Sequence, residues 1–332
     1  MPLPKVFLLW GIRVQSRADG TVKALVTGGA GFIGSHLCEA LLRKGMEVES
    51  VDLRRCQSNI RGIDSSMFHH HSFDVTSIDE LKEVSKGCDL MFHLASNSDI
   101  RASDSGTSVD FKDTLQATWS AMEAARANEI KRVYFPSTSA VYGNAPGVNL
   151  SESMGELRPI SHYGSCKLAA ESLLSSYAYM YSMNILIFRA SNVVGPRLTH
   201  GVMYDFIKKL EKDNGRLEIL GDGRQSKEYV HVDDLVAGVC DFISRVDKGI
   251  SVYNISTASS ITVNQIADAV CLHLGLNDVK YEYTGGNRGW RGDVPSFKLD
   301  ISKAISKGWR FKYDSEASIN RTMEHYAATL NS

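Results

Sequence analysis

Tyr163 and Lys167 are the two side chains whose types and spacing most clearly allow proton chemistry. They stand four residues apart in the segment YGSCK, where a stretch with helical spacing begins, so both project from one helix face. A phenol has an ordinary pKa of about 10, but a neighbouring ammonium ion favours the phenolate. The pair could then accept a hydroxyl proton. Because such pairs also occur by chance on amphipathic helix surfaces, its meaning depends on its surroundings.

A second polar segment, STSA (Ser137 to Ala140), follows the apolar run Arg132 to Phe135 after one proline. If that run is a strand of a parallel sheet, Thr138 lies at the carboxyl edge of the sheet. Its hydroxyl could then hydrogen-bond to the reacting oxygen and help to pass the proton to Tyr163. The alternative is an ordinary polar turn after a buried strand.

A glycine-rich run, GGAGFIG, places Gly28, Gly31 and Gly34 between a short apolar run and a helical pattern. Glycine permits a tight turn and lets the backbone approach a pyrophosphate, whose charge the N–H groups at a helix start stabilise. Asp52 closes the next strand, where a carboxylate accepts hydrogen bonds from an adenosine ribose and disfavours a ribose phosphate. The pattern favours NAD over NADP, although two arginines follow Asp52 closely. A glycine-rich turn without a ligand is the alternative.

Two further segments can be interpreted either as functional sites or as ordinary structural features. Asp74 and Val75 end the third strand and could contact the adenine, or could form an ordinary strand end. The run His69 to His71 resembles a metal cluster. Consecutive strand residues point to opposite faces, however, so the three cannot converge on one ion, and we expect no metal.

The elements that must position these residues alternate along the first 190 residues. Helical patterns cover residues 31–43, 107–127 and 161–181, and apolar runs cover 23–27, 47–52, 67–73, 90–94, 132–135 and 185–188. This alternation predicts an α/β, Rossmann-like doubly wound parallel sheet. After Gly195 the rhythm loosens, which predicts a smaller C-terminal α/β substrate lobe. We expect an extension over 1–22, an NAD-binding domain carrying the catalytic residues over 23–190, and a mainly substrate-binding lobe over 191–332.

Composition narrows the class of partner. The 332 residues are 43% hydrophobic and 23% charged, with a formal net charge of -1, so no basic field for nucleic acid exists. Six cysteines without a C-x-x-C pair indicate neither a zinc site nor a disulfide framework. The charge balance favours a small-molecule partner, and the cysteine usage favours a reducing cytoplasm. The apolar run Val6 to Gly11 is too short to span a bilayer, so we expect no export and a cytoplasmic protein.

Together these segments resemble the extended short-chain dehydrogenase/reductase family, and within it the NAD-dependent sugar-nucleotide 4-epimerases of the UDP-glucose 4-epimerase type. The resemblance covers about residues 23 to 315. Besides GGAGFIG and YGSCK, it rests on these blocks: HLAS (His93 to Ser96), STSAVYG (Ser137 to Gly143), FRASNVVGPR (Phe188 to Arg197), KEYVHVDDL (Lys227 to Leu235) and GWRGDVP (Gly289 to Pro295).

The resemblance implies a role for each matching residue. Thr138 and Tyr163 would carry the proton chemistry with Lys167. Asn192, Lys227 and Arg288 would hold the nucleotide diphosphate, with Arg291 competing for that role, and Phe297 would limit the sugar pocket. The residues implied to contact NAD are Gly28, Gly31, Phe32, Ile33, Gly34, Asp52, Asp74, Val75, Leu94, Ala95, Ser96, Tyr163 and Lys167.

Three departures from the family pattern qualify these roles. Lys227 stands where members often have arginine, which replaces a bidentate fork with a point charge. Thr114 stands where an asparagine is usual. Ser139 and Ala140 follow the catalytic hydroxyl, where dehydratases carry an Asp-Glu pair and related decarboxylases a Glu. The groups needed for water elimination are therefore missing.

The expected activity is 4-epimerisation of a nucleotide sugar, UDP-galactose/UDP-glucose being preferred, through a transient 4-keto intermediate with NAD retained. Other members remain alternatives: UDP-glucuronate or UDP-N-acetylhexosamine epimerases, keto-sugar reductases and dehydrogenases that catalyse net oxidation. A non-enzymatic NAD-sensing protein is disfavoured because such proteins commonly lose the Tyr/Lys pair. The family also implies a homodimer through the helices predicted over 107–127 and 161–181.

Overall fold

The computed structural model describes residues 6–9, 12–15, 20–98, 100 and 106–330. The chain forms two compact units, each built from three segments. The first unit comprises Met1–Ser137, Ser165–Phe188 and Val236–Val252. The second comprises Thr138–Gly164, Arg189–Leu235 and Tyr253–Ser332. The expected division near residue 190 makes two consecutive blocks, whereas these units interleave along the chain.

The elements follow one another in this order. The first are β1 (Val6–Leu9), β2 (Ile12–Gln15), β3 (Lys23–Thr27), α1 (Phe32–Arg43), β4 (Glu47–Asp52), β5 (Phe68–Ser72), α2 (Ile78–Val84), β6 (Leu90–His93), α3 (Ser108–Asp110), α4 (Ala117–Ala127), β7 (Arg132–Thr138), β8 (Asn149–Leu150) and α5 (His162–Tyr181). The rest are β9 (Asn184–Ala190), β10 (Asn192–Val194), α6 (Val202–Lys212), β11 (Arg216–Ile219), β12 (Ser226–Lys227), β13 (Tyr229–His231), α7 (Val232–Ile243), β14 (Ile250–Ile255), β15 (Ile261–Thr262), α8 (Val263–His273), β16 (Lys280–Tyr283), β17 (Lys298–Leu299), α9 (Ser302–Ser306) and α10 (Ser315–Leu330).

A seven-stranded sheet is the framework of the first unit, in the order β14-β9-β7-β6-β3-β4-β5. The pairs β3-β4, β4-β5, β3-β6 and β6-β7 are parallel. Counted from β3, the order is that of a Rossmann fold, so the predicted fold class is confirmed. The strand order reverses between β3 and β6. In such sheets a ligand binds beyond the carboxyl ends of the strands at this reversal.

The core of the first unit packs helices onto the sheet. Side chains from β3, β6 and β7 contribute Leu25, Met91 and Val133, none of which has exposed surface. Met122 of α4 and Leu174 of α5 are equally buried in the same cluster. Burying a side chain of this size stabilises a fold by about 1.5–3 kcal/mol. These buried side chains therefore pack α4 and α5 tightly against the sheet.

The helix predicted over 107–127 is not one regular α-helix. A π-helical stretch, Phe111–Gln116, separates α3 from α4. Apolar periodicity cannot reveal such a stretch, because it depends on where backbone hydrogen bonds widen by one residue. Within the segment expected as an extension, β1 and β2 pair antiparallel.

The second unit is built from short strand pairs and helices. The pairs β8-β17, β10-β13 and β11-β16 are parallel, and β12-β15 is antiparallel. A capping box between Thr262 and Gln265 begins α8, and this exchange satisfies backbone groups at the helix start. Trp309 is buried and its Nε1 donates to the carbonyl oxygen of Ser256 at 3.0 Å. The predicted α/β character of the C-terminal part is confirmed.

Within the part of the chain that is described, no helix combines the length and apolar composition needed to cross a membrane.

Candidate active site

The glycine-rich loop lies in the first unit, between β3 and α1. The N–H of Gly28 donates to the carbonyl of Val51 at 2.8 Å, and Gly28 has a left-handed φ of 71°. A Cβ on Gly28 would lie 2.7 Å from the backbone nitrogen of Ala95. A Cβ on Gly34 would lie 2.0 Å from the carbonyl oxygen of Gly28. The turn therefore requires glycine at both positions, and it packs directly on the loop that follows β6.

The start of α1 is suited to an anion. Gly31 is its N-cap residue, and among the described residues no side chain caps this end. Its first turn also contains no acidic residue. Backbone N–H groups of Phe32, Ile33 and Gly34 belong to this first turn, where helix N–H groups lack helical acceptors. The loop therefore fits a dinucleotide pyrophosphate.

Asp52 lies at the end of β4, beside the loop. Its Oδ2 accepts a hydrogen bond from the N–H of Ala30 at 3.0 Å, and its Oδ1 accepts one from Leu53 at 2.7 Å. Asp52 therefore ends β4, as the sequence predicts, and its carboxylate contacts the glycine-rich loop.

Asp74 is more heavily engaged than the sequence suggests. Its Oδ1 accepts from the N–H and the hydroxyl of Thr76, and its Oδ2 lies 2.9 Å from Lys112 Nζ. Burial raises the pKa of Asp74, but these hydrogen bonds outweigh it and hold the pKa below its ordinary value. Both carboxylate oxygens are thus already in use. The adjacent Val75 is buried.

Lys167 is buried on α5 and its contacts lie in the first unit. Its Nζ donates to Ser96 Oγ at 3.2 Å and to the carbonyl oxygen of Pro136 at 2.9 Å. The same ammonium lies 4.7 Å from the centre of the Phe135 ring. Burial lowers the pKa of Lys167 to about 7, against the opposing attraction of Glu171 and Asp110. Its charge is therefore sensitive to its neighbours at physiological pH.

His93 fixes the loop that carries Leu94, Ala95 and Ser96. Its Nδ1 is 2.7 Å from Thr27 Oγ1 and its Nε2 is 3.2 Å from Thr118 Oγ1. Burial, with a smaller contribution from the charge of Lys167, lowers the pKa of His93 to about 3. The imidazole is therefore neutral at physiological pH and acts as a structural link.

Two buried carboxylates near Lys167 were missed from the sequence. Glu171 accepts a hydrogen bond from the hydroxyl of Ser137, and both side chains are buried. Asp110 has no exposed surface and accepts from Asn97 Nδ2 at 2.8 Å. The spacing of Glu171 from Lys167, four residues along one helix, was a usable signal. No comparable signal pointed to Asp110.

Thr138 and Tyr163 lie in the second unit. Thr138 Oγ1 accepts a hydrogen bond from the N–H of Ala140 at 3.2 Å, which starts a short 3₁₀ turn over Ser139–Tyr142. Tyr163 is the second residue of α5 and is half-buried. A Cβ on the next residue, Gly164, would lie 2.8 Å from the carbonyl oxygen of Ala140. The start of α5 therefore packs against the turn that follows Thr138.

The implied diphosphate ligands also belong to the second unit. Asn192 Nδ2 donates to the carbonyl oxygen of Glu228 at 3.3 Å. Lys227 Nζ lies 2.5 Å from Oδ1 of the buried Asp293, a residue missed from the sequence. Arg288 is exposed and its Nη1 is 3.5 Å from the carbonyl oxygen of Arg291. Of the two cations Lys227 and Arg288, Lys227 thus forms an ion pair with an acidic residue. Phe297, the residue expected to limit the sugar pocket, is half-buried.

The histidine run alternates between faces as expected. His71 Nε2 lies 2.6 Å from Glu49 Oε2, whereas His70 Nδ1 is 3.1 Å from Ser50 Oγ. Glu47, Glu49 and His69 approach closely enough to share a cation. Lys23 Nζ, however, lies 3.0 Å from Glu47 and 2.5 Å from Glu49, so an ammonium already occupies this acidic group.

Known proteins are similar to this chain in sequence and in fold. The sequence model of the NAD dependent epimerase/dehydratase family matches residues 24–256. A putative UDP-glucose 4-epimerase of Methanocaldococcus jannaschii is 28% identical over 305 residues, which is 90% of this chain and 96% of that protein. The crystal structure of a UDP-galactose 4-epimerase matches with a TM-score of 0.81 and 33% identity, over 93% of this chain and 100% of the other. MoeE5 in complex with UDP-glucuronic acid and NAD matches with a TM-score of 0.82 and 31% identity, over 92% and 99%.

Proposed function

This chain belongs to the NAD dependent epimerase/dehydratase family, and from that premise we propose that it interconverts nucleotide sugars that differ in configuration at C4. UDP-galactose and UDP-glucose are the preferred pair. The observation that carries the proposal is the turn after Thr138, which packs against the start of the Tyr163 helix. This turn presents a hydroxyl but no carboxylate, since Ser139 and Ala140 follow.

NAD is the cofactor, and it supplies a hydride acceptor and then a hydride donor for the sugar carbon. In our proposal the Gly28 to Gly34 loop and the start of α1 bind the pyrophosphate, and Asp52 accepts hydrogen bonds from the adenosine ribose. Val75 lines the adenine site beside Asp74, whose carboxylate already serves Thr76 and Lys112. The remaining proposed contacts are Leu94, Ala95, Ser96, Tyr163 and Lys167.

Tyr163 is the proposed general base. It removes the proton from the 4-hydroxyl as C4 is oxidised and returns a proton to the oxygen when C4 is reduced. The ammonium of Lys167, one helical turn away on α5, favours the phenolate form of Tyr163. Thr138 supplies a hydrogen bond to the same oxygen. Because a dehydratase needs additional acid-base groups to eliminate water, the sequence Ser139-Ala140 favours epimerisation.

Three residues are proposed to hold the diphosphate while the sugar rotates, so that the two hydride transfers take place on opposite faces of the sugar. Asn192 contributes its amide, and Lys227 and Arg288 contribute positive charge. Asp293 orients Lys227 through the 2.5 Å ion pair and also accepts from the N–H of Gly289 at 2.9 Å. Phe297 is proposed to restrict the sugar pocket, which disfavours N-acetylated sugars.

We further propose a homodimer formed through the helical region that contains α4 and α5. Large apolar side chains on this region are exposed: Phe111 by 56%, Trp119 by 46%, Tyr179 by 87% and Met180 by 66%. Several exposed apolar groups on adjacent helical elements are typical of an interface. Sedimentation analysis should show a dimer, and the variant Trp119→Arg should shift it towards monomer; a monomeric wild-type protein would contradict this assembly.

A panel of nucleotide sugars tests the proposed function. Purified protein is incubated with UDP-, dTDP- and GDP-linked hexoses, UDP-glucuronate and UDP-N-acetylglucosamine, without added NAD. We expect conversion of UDP-galactose and UDP-glucose into each other, with slower turnover of the N-acetylated sugar. Preferred turnover of UDP-glucuronate would reassign the substrate, and accumulation of NADH in proportion to product would replace epimerisation by net oxidation.

A further inference from the structure

Asp110 is a fully buried carboxylate that the proposed mechanism does not use. It ends α3, directly before the π-helical stretch Phe111–Gln116. Its Oδ1 accepts a hydrogen bond from Asn97 Nδ2 at 2.8 Å. Its Oδ2 is buried and has no hydrogen-bond donor among the described residues. A buried carboxylate held by a neutral amide is costly unless a cation stands nearby.

Asp110 and Lys167 contact the same short segment of the chain. Asn97, which donates to Asp110, directly follows Ser96, whose hydroxyl accepts from Lys167 Nζ at 3.2 Å. One short segment therefore contacts both the carboxylate and the ammonium. The charge of Asp110 acts on Lys167 in the direction that stabilises its protonated form.

Few other ionisable groups influence the charge of Lys167 in the described part of the first unit. Glu171, one turn further along α5, attracts the same ammonium and is held by Ser137. His93 on β6 is neutral at physiological pH. On α5 itself, the titratable thiol of Cys166 directly precedes Lys167 in this unit. Burial opposes the positive charge, and Asp110 and Glu171 are the two acidic groups that balance it.

We propose that Asp110 is a positioning residue of this site, which acts through Lys167 by keeping the lysine in its ammonium form and by holding the turn at Ser96 and Asn97. The inference rests on the proposed function, in which the ammonium favours the Tyr163 phenolate. Removal of the Asp110 charge should therefore raise the pH at which Tyr163 ionises. Without Lys167 as intermediary, the same change would lower that pH, because a negative charge disfavours a phenolate.

The variant Asp110→Asn tests this, because it removes the charge and keeps the side-chain shape. The phenolate absorbance of Tyr163 is measured in the NAD-bound protein without sugar, as the difference between each protein and the same protein carrying Tyr163→Phe. We expect the ionisation midpoint of Tyr163 to rise by about one pH unit in Asp110→Asn. An unchanged or lowered midpoint overturns the proposal. If Asp110→Asn does not fold, Asp110→Ser is measured in the same way.

Asp113→Asn is the matched control. Asp113 lies three residues further along, in the π-helical stretch, and is only half-buried. Asp113→Asn removes the same charge from a neighbouring position of the same helical region. In Asp113→Asn, the ionisation midpoint of Tyr163 should stay within about 0.2 pH units of the wild-type value. An equal shift in both variants would show a general charge effect and overturn the role of Asp110. Because the absorbance is read without sugar, it reports on Asp110 even if no nucleotide sugar is turned over, an outcome that counts against the proposed function alone.

Discussion

Lys167 and Ser96 lie 71 residues apart in the chain, and the lysine Nζ donates a hydrogen bond to the serine Oγ at 3.2 Å. This bond ties α5 to the loop after β6. A second bond, to the carbonyl oxygen of Pro136 at 2.9 Å, fixes the same ammonium to β7. The lysine is thereby positioned at the carboxyl edge of the sheet, where NAD binds in this fold.

Replacement of Tyr163 by phenylalanine removes the proposed base and preserves the ring. We expect kcat for the preferred sugar to fall by at least about a hundredfold, because general base catalysis contributes about 10²–10⁴. Tyr179→Phe is the control, since Tyr179 lies on the same helix and is 87% exposed. Steady-state kinetics at one pH compare the two. If the Tyr163→Phe enzyme were as active as the control, Tyr163 would not be the general base.

Gly28→Ala should disrupt the cofactor loop more than its backbone angle alone explains. Gly28 and Gly45 have φ values of 71° and 76°, so alanine costs about 1–2 kcal/mol at each. Only at Gly28 would the new Cβ also collide with the backbone, at 2.7 Å from Ala95; at Gly45 nothing lies within 4 Å among the described atoms. We expect Gly28→Ala to lose bound NAD and Gly45→Ala to retain it, measured as nicotinamide released on denaturation. Equal cofactor content would contradict the close packing of this turn.

Arg288 and Arg291 can be distinguished by their effect on KM. Arg288→Ala should raise KM for a UDP-sugar about tenfold with kcat little changed, because a charge-assisted hydrogen bond contributes about 1.5–3 kcal/mol. Arg291→Ala serves as the matched charge change three residues away and should leave KM within about twofold. The reverse pattern would transfer the diphosphate role to Arg291.

His93 should make the folded protein sensitive to mild acid. Burial lowers its pKa to about 3 in the folded protein, whereas in the unfolded chain it is near 6.5. Between these values the unfolded chain binds the extra proton, so stability is lost as the pH falls below 6.5. At about pH 5 the loss is about 2 kcal/mol. The free energy of unfolding, measured by chemical denaturation at about pH 7.5 and 5, should decrease more for wild type than for His93→Gln. Equal decreases would contradict the lowered pKa of His93.

The sequence predicts six of the seven strands of the sheet, β3 to β7 and β9, because helical patterns or glycines separate them along the chain. It does not predict the seventh strand, β14, because the alternation of strands and helices loosens after Gly195. The range Lys23–Thr27 is the same in prediction and structure. The motifs also locate the loop at Gly28 and the helix of Tyr163, because their spacing is local. Asp110 and Asp293 could not be predicted, since their significance comes from partners 13 and 66 residues away. Such contacts depend on the tertiary fold, which local spacing does not encode.

Proton NMR of UDP-galactose incubated with the purified protein, with no NAD added, distinguishes C4 epimerisation from the alternative reactions. We expect UDP-glucose to appear, the same final ratio to be reached from either sugar, and no NADH absorbance to accumulate in proportion to product. Formation of a 4-keto-6-deoxy sugar, or of NADH equal to the sugar consumed, would contradict C4 epimerisation.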